Sequence, residues 1–155
     1  MSRIRTDSKE KGIRALLLAV LMLWTVFIFA RSLKSADDST MESAFFLDLV
    51  RRFIPSASMY FVRKLAHFTE FFVLGCLSSA FFQRIAGEKK KPLAAGAAAA
   101  SCYGLAAAVT DELLQLSSPG RSCQVSDMLL DLSGVLAAAV LSALLLFFIR
   151  RRQRS

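Results

Sequence analysis

"RKLAHFTEFFVLGCLSSAFF", residues 63–82, decides how this chain is read. Its second half is apolar enough to sit in lipid, yet its first half carries Lys64, His67 and Glu70. These three recur every third residue, which sets them roughly on one side of a helix over about 9 Å of rise. A lone charge at the centre of a bilayer costs about 3 kcal/mol on insertion scales. A segment of this kind is therefore expected to enter the membrane polar end first, with its charged residues gathered near one face and paired there.

The rest of the chain agrees with a membrane setting. Its 155 residues are 55% hydrophobic, with a mean hydropathy of +0.48, long enough for one domain and too apolar for an ordinary soluble one. The net charge of +8 does not form a stripe suited to nucleic acid, because the Lys and Arg residues flank apolar runs. Four such runs occur, at about 15–30, 65–82, 92–109 and 128–149, and roughly 20 residues of helix cross the hydrocarbon. The expected organisation is a basic tail at 1–14, a membrane domain at 15–149 and a second basic tail at 150–155. The first run also has the basic flank of a signal peptide. Ile28 occupies a position where such peptides favour Ala, so a retained anchor is the expected reading. Cys76, Cys102 and Cys123 make an odd set without CxxC spacing, which points to neither a disulfide framework nor a zinc motif.

Orientation follows from the basic residues near the ends of the runs. The N-terminal tail holds Arg3, Arg5, Lys9, Lys11 and Arg14; the middle connection holds Arg84, Lys89, Lys90 and Lys91; the C-terminal tail holds Arg150, Arg151, Arg152 and Arg154. Four spans with both termini in the cytoplasm put all three segments on one side, in a multi-pass protein of the cell membrane. In the first outer connection, "MESAFFLDLVRRFIPS" has Phe45, Phe46, Leu49, Val50 and Phe53 at helical spacing, with Asp48, Arg51 and Arg52 facing away and Pro55 as a stop. That pattern suits a helix lying in the interface plane. The fold class expected is all-α and integral to the membrane: a four-transmembrane-helix bundle with an interfacial amphipathic helix in the first outer loop. Small residues at Gly96, Ala100, Gly104 and Ala108 in the third run, and at Gly134, Ala138 and Ser142 in the fourth, permit close helix approach and suggest that these two spans form the middle of the bundle.

With that topology the out-of-place polar residues share one level. Lys64, His67 and Glu70 open the second span; Asp111, Glu112 and Gln115 close the third; Asp127 and Asp131 begin the fourth. Between the last two, Pro119 and Gly120 supply a reversal that carries Arg121, the natural bidentate partner for one or two of the acids. The cluster has a surplus of negative charge, which leaves room for a cation, a shared proton or an amine. A plainer account makes Asp127 a first-turn acid and lets Lys64 snorkel, but Glu70 and Asp131 lie too far into their helices to be caps.

These same residues carry a resemblance. "RKLAHFTEFFVLGCL" followed by "DELLQLSSPGRSCQVSDMLLDLSG" resembles the VanZ-like family. The matching positions are Arg63, Lys64, His67, Phe68 and Glu70; Asp111, Glu112, Gln115 and Arg121; and Asp127, Asp131 and Gly134. Many relatives have Tyr where Phe71 stands and Asn where Asp131 stands. The resemblance implies an envelope protein of the kind that raises tolerance to the glycopeptide teicoplanin without making modified peptidoglycan precursors. A phosphotransbutyrylase label borne by some relatives finds no glycine-rich phosphate loop in this chain.

Two functions from different classes follow. The first is a binding protein whose partners are membrane lipids or a lipid-linked cell-wall precursor, with Lys64, His67 and Arg121 contacting phosphate and the acids contacting amines. The alternative is an intramembrane lipid-modifying enzyme, a hydrolase or transferase. There His67 and Glu70 would act as base and orienter, or His67 with Asp111 and Asp127 would hold a divalent ion. One histidine in the whole chain argues against zinc, and no resident metal or cofactor is expected, although an oxygen-rich magnesium or calcium site is left open. A proton-coupled carrier is disfavoured, because the inner halves of the spans are nearly free of ionisable groups.

Overall fold

The computed structural model describes residues 2–153, with side chains from Ser8 onward, and among these residues there are five helices and no strand. They are α1 (Ser2–Ser32), α2 (Ala36–Arg51), α3 (Met59–Glu88), α4 (Leu93–Gln115) and α5 (Val125–Arg152). Four of them, α1 from Ser8 together with α3, α4 and α5, are long and apolar enough to cross a membrane. The chain is a multi-pass membrane protein.

The spans run further than the apolar stretches because their polar ends are capped or paired. Ser58 accepts the Phe61 N–H and starts α3 six residues before Leu65, while Ser35 accepts the Asp38 N–H and starts α2 five residues before Met41. Asp37 and Asp38 then favour the first turn of α2 through the helix dipole. Arg51 is the last residue of α2, so Phe53 lies past its end and Pro55 is not what stops it. Ser43 and Leu47 face the bundle; Phe45 is largely exposed, and Phe46 and Leu49 are about half exposed. An amphipathic helix with an exposed aromatic face is the arrangement expected at a membrane interface. Leu16, Leu23, Leu144, Leu145 and Phe148 are likewise exposed along α1 and α5, where lipid is the natural neighbour.

The hub of the bundle is α3, which packs against every other helix, whereas α5 meets chiefly α3 and α4. The small-residue stripes of α4 and α5 had suggested those two as the middle. Like α4, α3 holds a glycine of its own against α5. A Cβ added to Gly75 would lie 2.7 Å from the Ala138 Cβ, and one added to Gly134 would lie 2.6 Å from the Phe68 carbonyl oxygen. The two helices run parallel and in step, with Lys64 beside Asp127, Phe68 beside Gly134 and Gly75 beside Ala138. Phe71, Leu74, Val135, Leu21 and Ile28 fill the core around this contact. At one end of the bundle, Arg84 pairs with Glu10 at 2.7 Å and Arg14 pairs with Glu88, joining α1 to α3. The polar cluster is at the other end.

Candidate functional site at the polar end of the bundle

The cluster resolves into a bonded layer, a pair with unmet hydrogen-bond capacity and a ring of arginines. Asp111, Glu112 and Gln115, in the last turns of α4, are all buried. The Gln115 amide donates to Asp111 Oδ2 at 3.0 Å and to Glu112 Oε1 at 3.1 Å, and the Gln124 backbone N–H donates to Glu112 Oε2 at 2.7 Å. Ser32 Oγ donates to Asp111 Oδ1 from α1. Every oxygen of these two carboxylates therefore has a partner, and Glu112 ties α4 to the residue that begins α5.

Along the α3–α5 seam, Lys64 forms an ion pair with Asp127 near the rim, with its ammonium also over the Tyr60 ring. One turn deeper, His67 Nδ1 lies 3.5 Å from Asp131 Oδ1. That separation is longer than a well-formed hydrogen bond. Among the described residues, neither oxygen of the fully buried Asp131 has a hydrogen-bond partner, and neither does His67 Nδ1. His67 therefore meets Asp131 rather than Glu70, the orienter expected for a base.

Glu70 instead pairs with Arg31 at 3.0 Å, and Arg31 reaches Glu42 of α2 at 3.7 Å, so one guanidinium joins α1, α2 and α3. Arg121 does not act as the bidentate partner of the acids. Its Nη1 donates at 3.4 and 3.3 Å to the carbonyls of Arg31 and Ser32, and the Ser118 hydroxyl donates to the Ser32 carbonyl at 3.0 Å. The physical reason is that α1 ends there, and its last carbonyls lack helical partners. The turn that carries Arg121 is pinned by the Ala36 N–H donating to the Pro119 carbonyl and is reversed at Gly120, whose φ is +73°. Burial, and then the neighbouring Arg63, push the Arg121 guanidinium below its ordinary pKa, and an arginine remains charged there.

Arg31, Arg63 and Arg121 surround a cavity of 20 Å³ also walled by Ser32, His67 and Glu70, space for about one water-sized group. Beside it, an apolar groove of 330 Å³ runs beneath α2, lined by Trp24, Phe27, Phe46, Val50, Leu65 and Val73 among others. The two share Arg31, Ser43, Ala66 and Glu70 as walls. Trp24 is held in place by its indole N–H, which donates to the Glu70 carbonyl at 3.0 Å.

Sequence reasoning missed Arg31, Ser32 and Ser43, and named Arg63 only within a motif. Arg31 follows an apolar run, where a snorkelling cation is the default reading; only the fold sets it opposite Glu70. With Arg31 and Arg63 added, the cavity is rich in cations, and the surplus of acids lies behind it toward α4 and α5.

A family model described as VanZ/LLP1 matches residues 17–147. Neither the curated proteins nor the solved structures contain a match to the chain.

Proposed function

The chain belongs to the VanZ-like family, and from that premise we propose that it binds a phosphate-bearing membrane lipid at the extracytoplasmic face, with both termini in the cytoplasm. The observation that carries this reading is the shared wall between the arginine-ringed cavity and the apolar groove. An amphiphile needs one environment for its charge and one for its chain, joined without a gap. Arginine is suited to phosphate because its planar fork gives paired charge-assisted hydrogen bonds. The groove has the volume and apolar lining of a small-molecule site. The small cavity admits phosphate oxygens only, so a larger head group projects outward past α2. Lys64 is engaged by Asp127 and Arg31 by Glu70 and Glu42, so phosphate recognition falls first to Arg63, beside Arg121. A lipid-linked cell-wall precursor and an anionic phospholipid offer the same chemistry, and sequestering either would alter the envelope that a glycopeptide meets.

Arg63 is the informative position, since it lines the cavity but makes no ion pair among the described residues. Its loss therefore removes a ligand contact without breaking a structural one. A charge-assisted hydrogen bond contributes about 1.5–3 kcal/mol, so Arg63→Ala should bind a polyprenyl phosphate at least about tenfold more weakly than wild type. Native mass spectrometry of the detergent-purified protein, titrated with a polyprenyl phosphate, phosphatidylglycerol or phosphatidylcholine, makes the measurement. Preference for the polyprenyl phosphate identifies a precursor carrier lipid, and preference for phosphatidylglycerol identifies a bulk lipid. Equal retention of all three, or an unchanged Arg63→Ala, refutes the reading. In a susceptible Gram-positive host, the wild type is expected to raise teicoplanin tolerance and Arg63→Ala, at equal abundance, to lose that effect.

A further inference from the structure

We propose that His67, Asp111 and Asp131 form a binding site for a first-row divalent cation. The three residues come from α3, α4 and α5, and one ligand atom from each lies within 4.8 Å of the others. With bonds of about 2.1 Å, atoms bound to one ion lie at most about 4.2 Å apart. Small side-chain rotations close the difference.

Proximity of acids alone would not make a site. The independent observation is the unmet bonding of Asp131. It is as buried as Glu112, yet Glu112 has partners for both oxygens and Asp131 has one for neither. A buried carboxylate without partners is strongly disfavoured. His67 alone does not relieve it, because Nδ1 stands 3.5 Å from one oxygen and leaves the other with nothing. A cation between the three groups satisfies Asp131 and His67 together. Two carboxylates also balance a double positive charge, so the ion would be buried without a net charge.

Asp111 has the outer support that ligating carboxylates usually need. Ser32 donates to Oδ1 and Gln115 to Oδ2, which fixes the carboxylate while each oxygen keeps a lone pair free. One imidazole with two carboxylates is a mixed nitrogen and oxygen set, suited to Mn²⁺ or Zn²⁺ better than to Mg²⁺ or Ca²⁺. Of the three, His67 also lines the cavity ringed by arginines. The expectation of no resident metal came from the single histidine and the absence of a spaced motif. Here the other ligands lie on separate helices and leave no such motif.

The test uses the full chain without a histidine tag, purified in detergent, stripped with EDTA and titrated with MnCl₂ without added lipid, so that its outcome is separate from that of the lipid measurements. Electron paramagnetic resonance should show one bound Mn²⁺ per chain. Because His67 is the only histidine, a nitrogen modulation in the pulsed spectrum would locate the ion without any variant. Asp131→Asn and His67→Gln should bind at least tenfold more weakly, while Glu88→Gln, which alters the Arg14 pair at the opposite end of the bundle, should bind as wild type does. No bound Mn²⁺, binding without nitrogen modulation, or folded Asp131→Asn with wild-type affinity would each overturn the assignment.

Discussion

Gly134→Val is expected to remove nearly all folded protein from the membrane. Even a bare Cβ at that position would stand 2.6 Å from the Phe68 carbonyl oxygen and 3.0 Å from the Phe72 nitrogen. Both are backbone atoms, so no side-chain rotation relieves the clash and α3 must move away from α5. Overpacking a core typically costs about 1–3 kcal/mol, occasionally more. Here the added cost includes Gly75 losing its seat against Val135 and Ala138. Parting the helices would also separate Lys64 from Asp127 and His67 from Asp131. Fluorescence-detected gel filtration of a fusion protein is the check, with Gly12→Ala as the control because nothing lies within 4 Å of its added Cβ. The control should match wild type, and a normally folded Gly134→Val would refute the tight α3–α5 seam.

The second large effect is expected at Glu112. Its carboxylate is wholly buried and accepts from the Gln115 side chain and the Gln124 backbone. Glu112→Ala orphans one contact of the buried Gln115, at about 1–3 kcal/mol, frees the Gln124 N–H that ties the turn to α5, and adds a cavity. Glu112→Gln keeps one acceptor but turns the other oxygen into a donor facing a donor. The expected order of melting temperature in detergent is wild type, then Glu112→Gln, then Glu112→Ala. If alanine melted with the wild type, the carboxylate would not be what holds the α4–α5 turn. The contrast with Asp131 is useful: the two acids are equally buried, but only the bonds of Glu112 are all supplied by the protein.

Much of this architecture was legible in the residues. The apolar runs and the polar start of the second span indicated four membrane helices, and the spacing of Phe45, Phe46 and Leu49 indicated α2. Their agreement reflects the fact that lipid demands internally bonded backbone, so hydropathy and helix coincide. Where the reading fell short, the missing information was a relation between distant residues. Arg121 looked like a counterion because charge was all that its position revealed; the α1 carbonyls that it meets are backbone groups about 90 residues away in sequence. His67 and Glu70 are neighbours on one helix, yet one turns to α5 and the other to α1.

The sequence by itself determined the solvent this protein folds in, the number of its spans and the level at which its polar residues collect, because those depend on local hydropathy and helical rise. Only the tertiary structure decided which acid is bonded and which is not, that three arginines face one cavity, and that an apolar groove adjoins it. Those properties depend on the rotation and register of whole helices. The register is set by backbone contact at Gly75 and Gly134, a steric fit that local hydropathy does not specify.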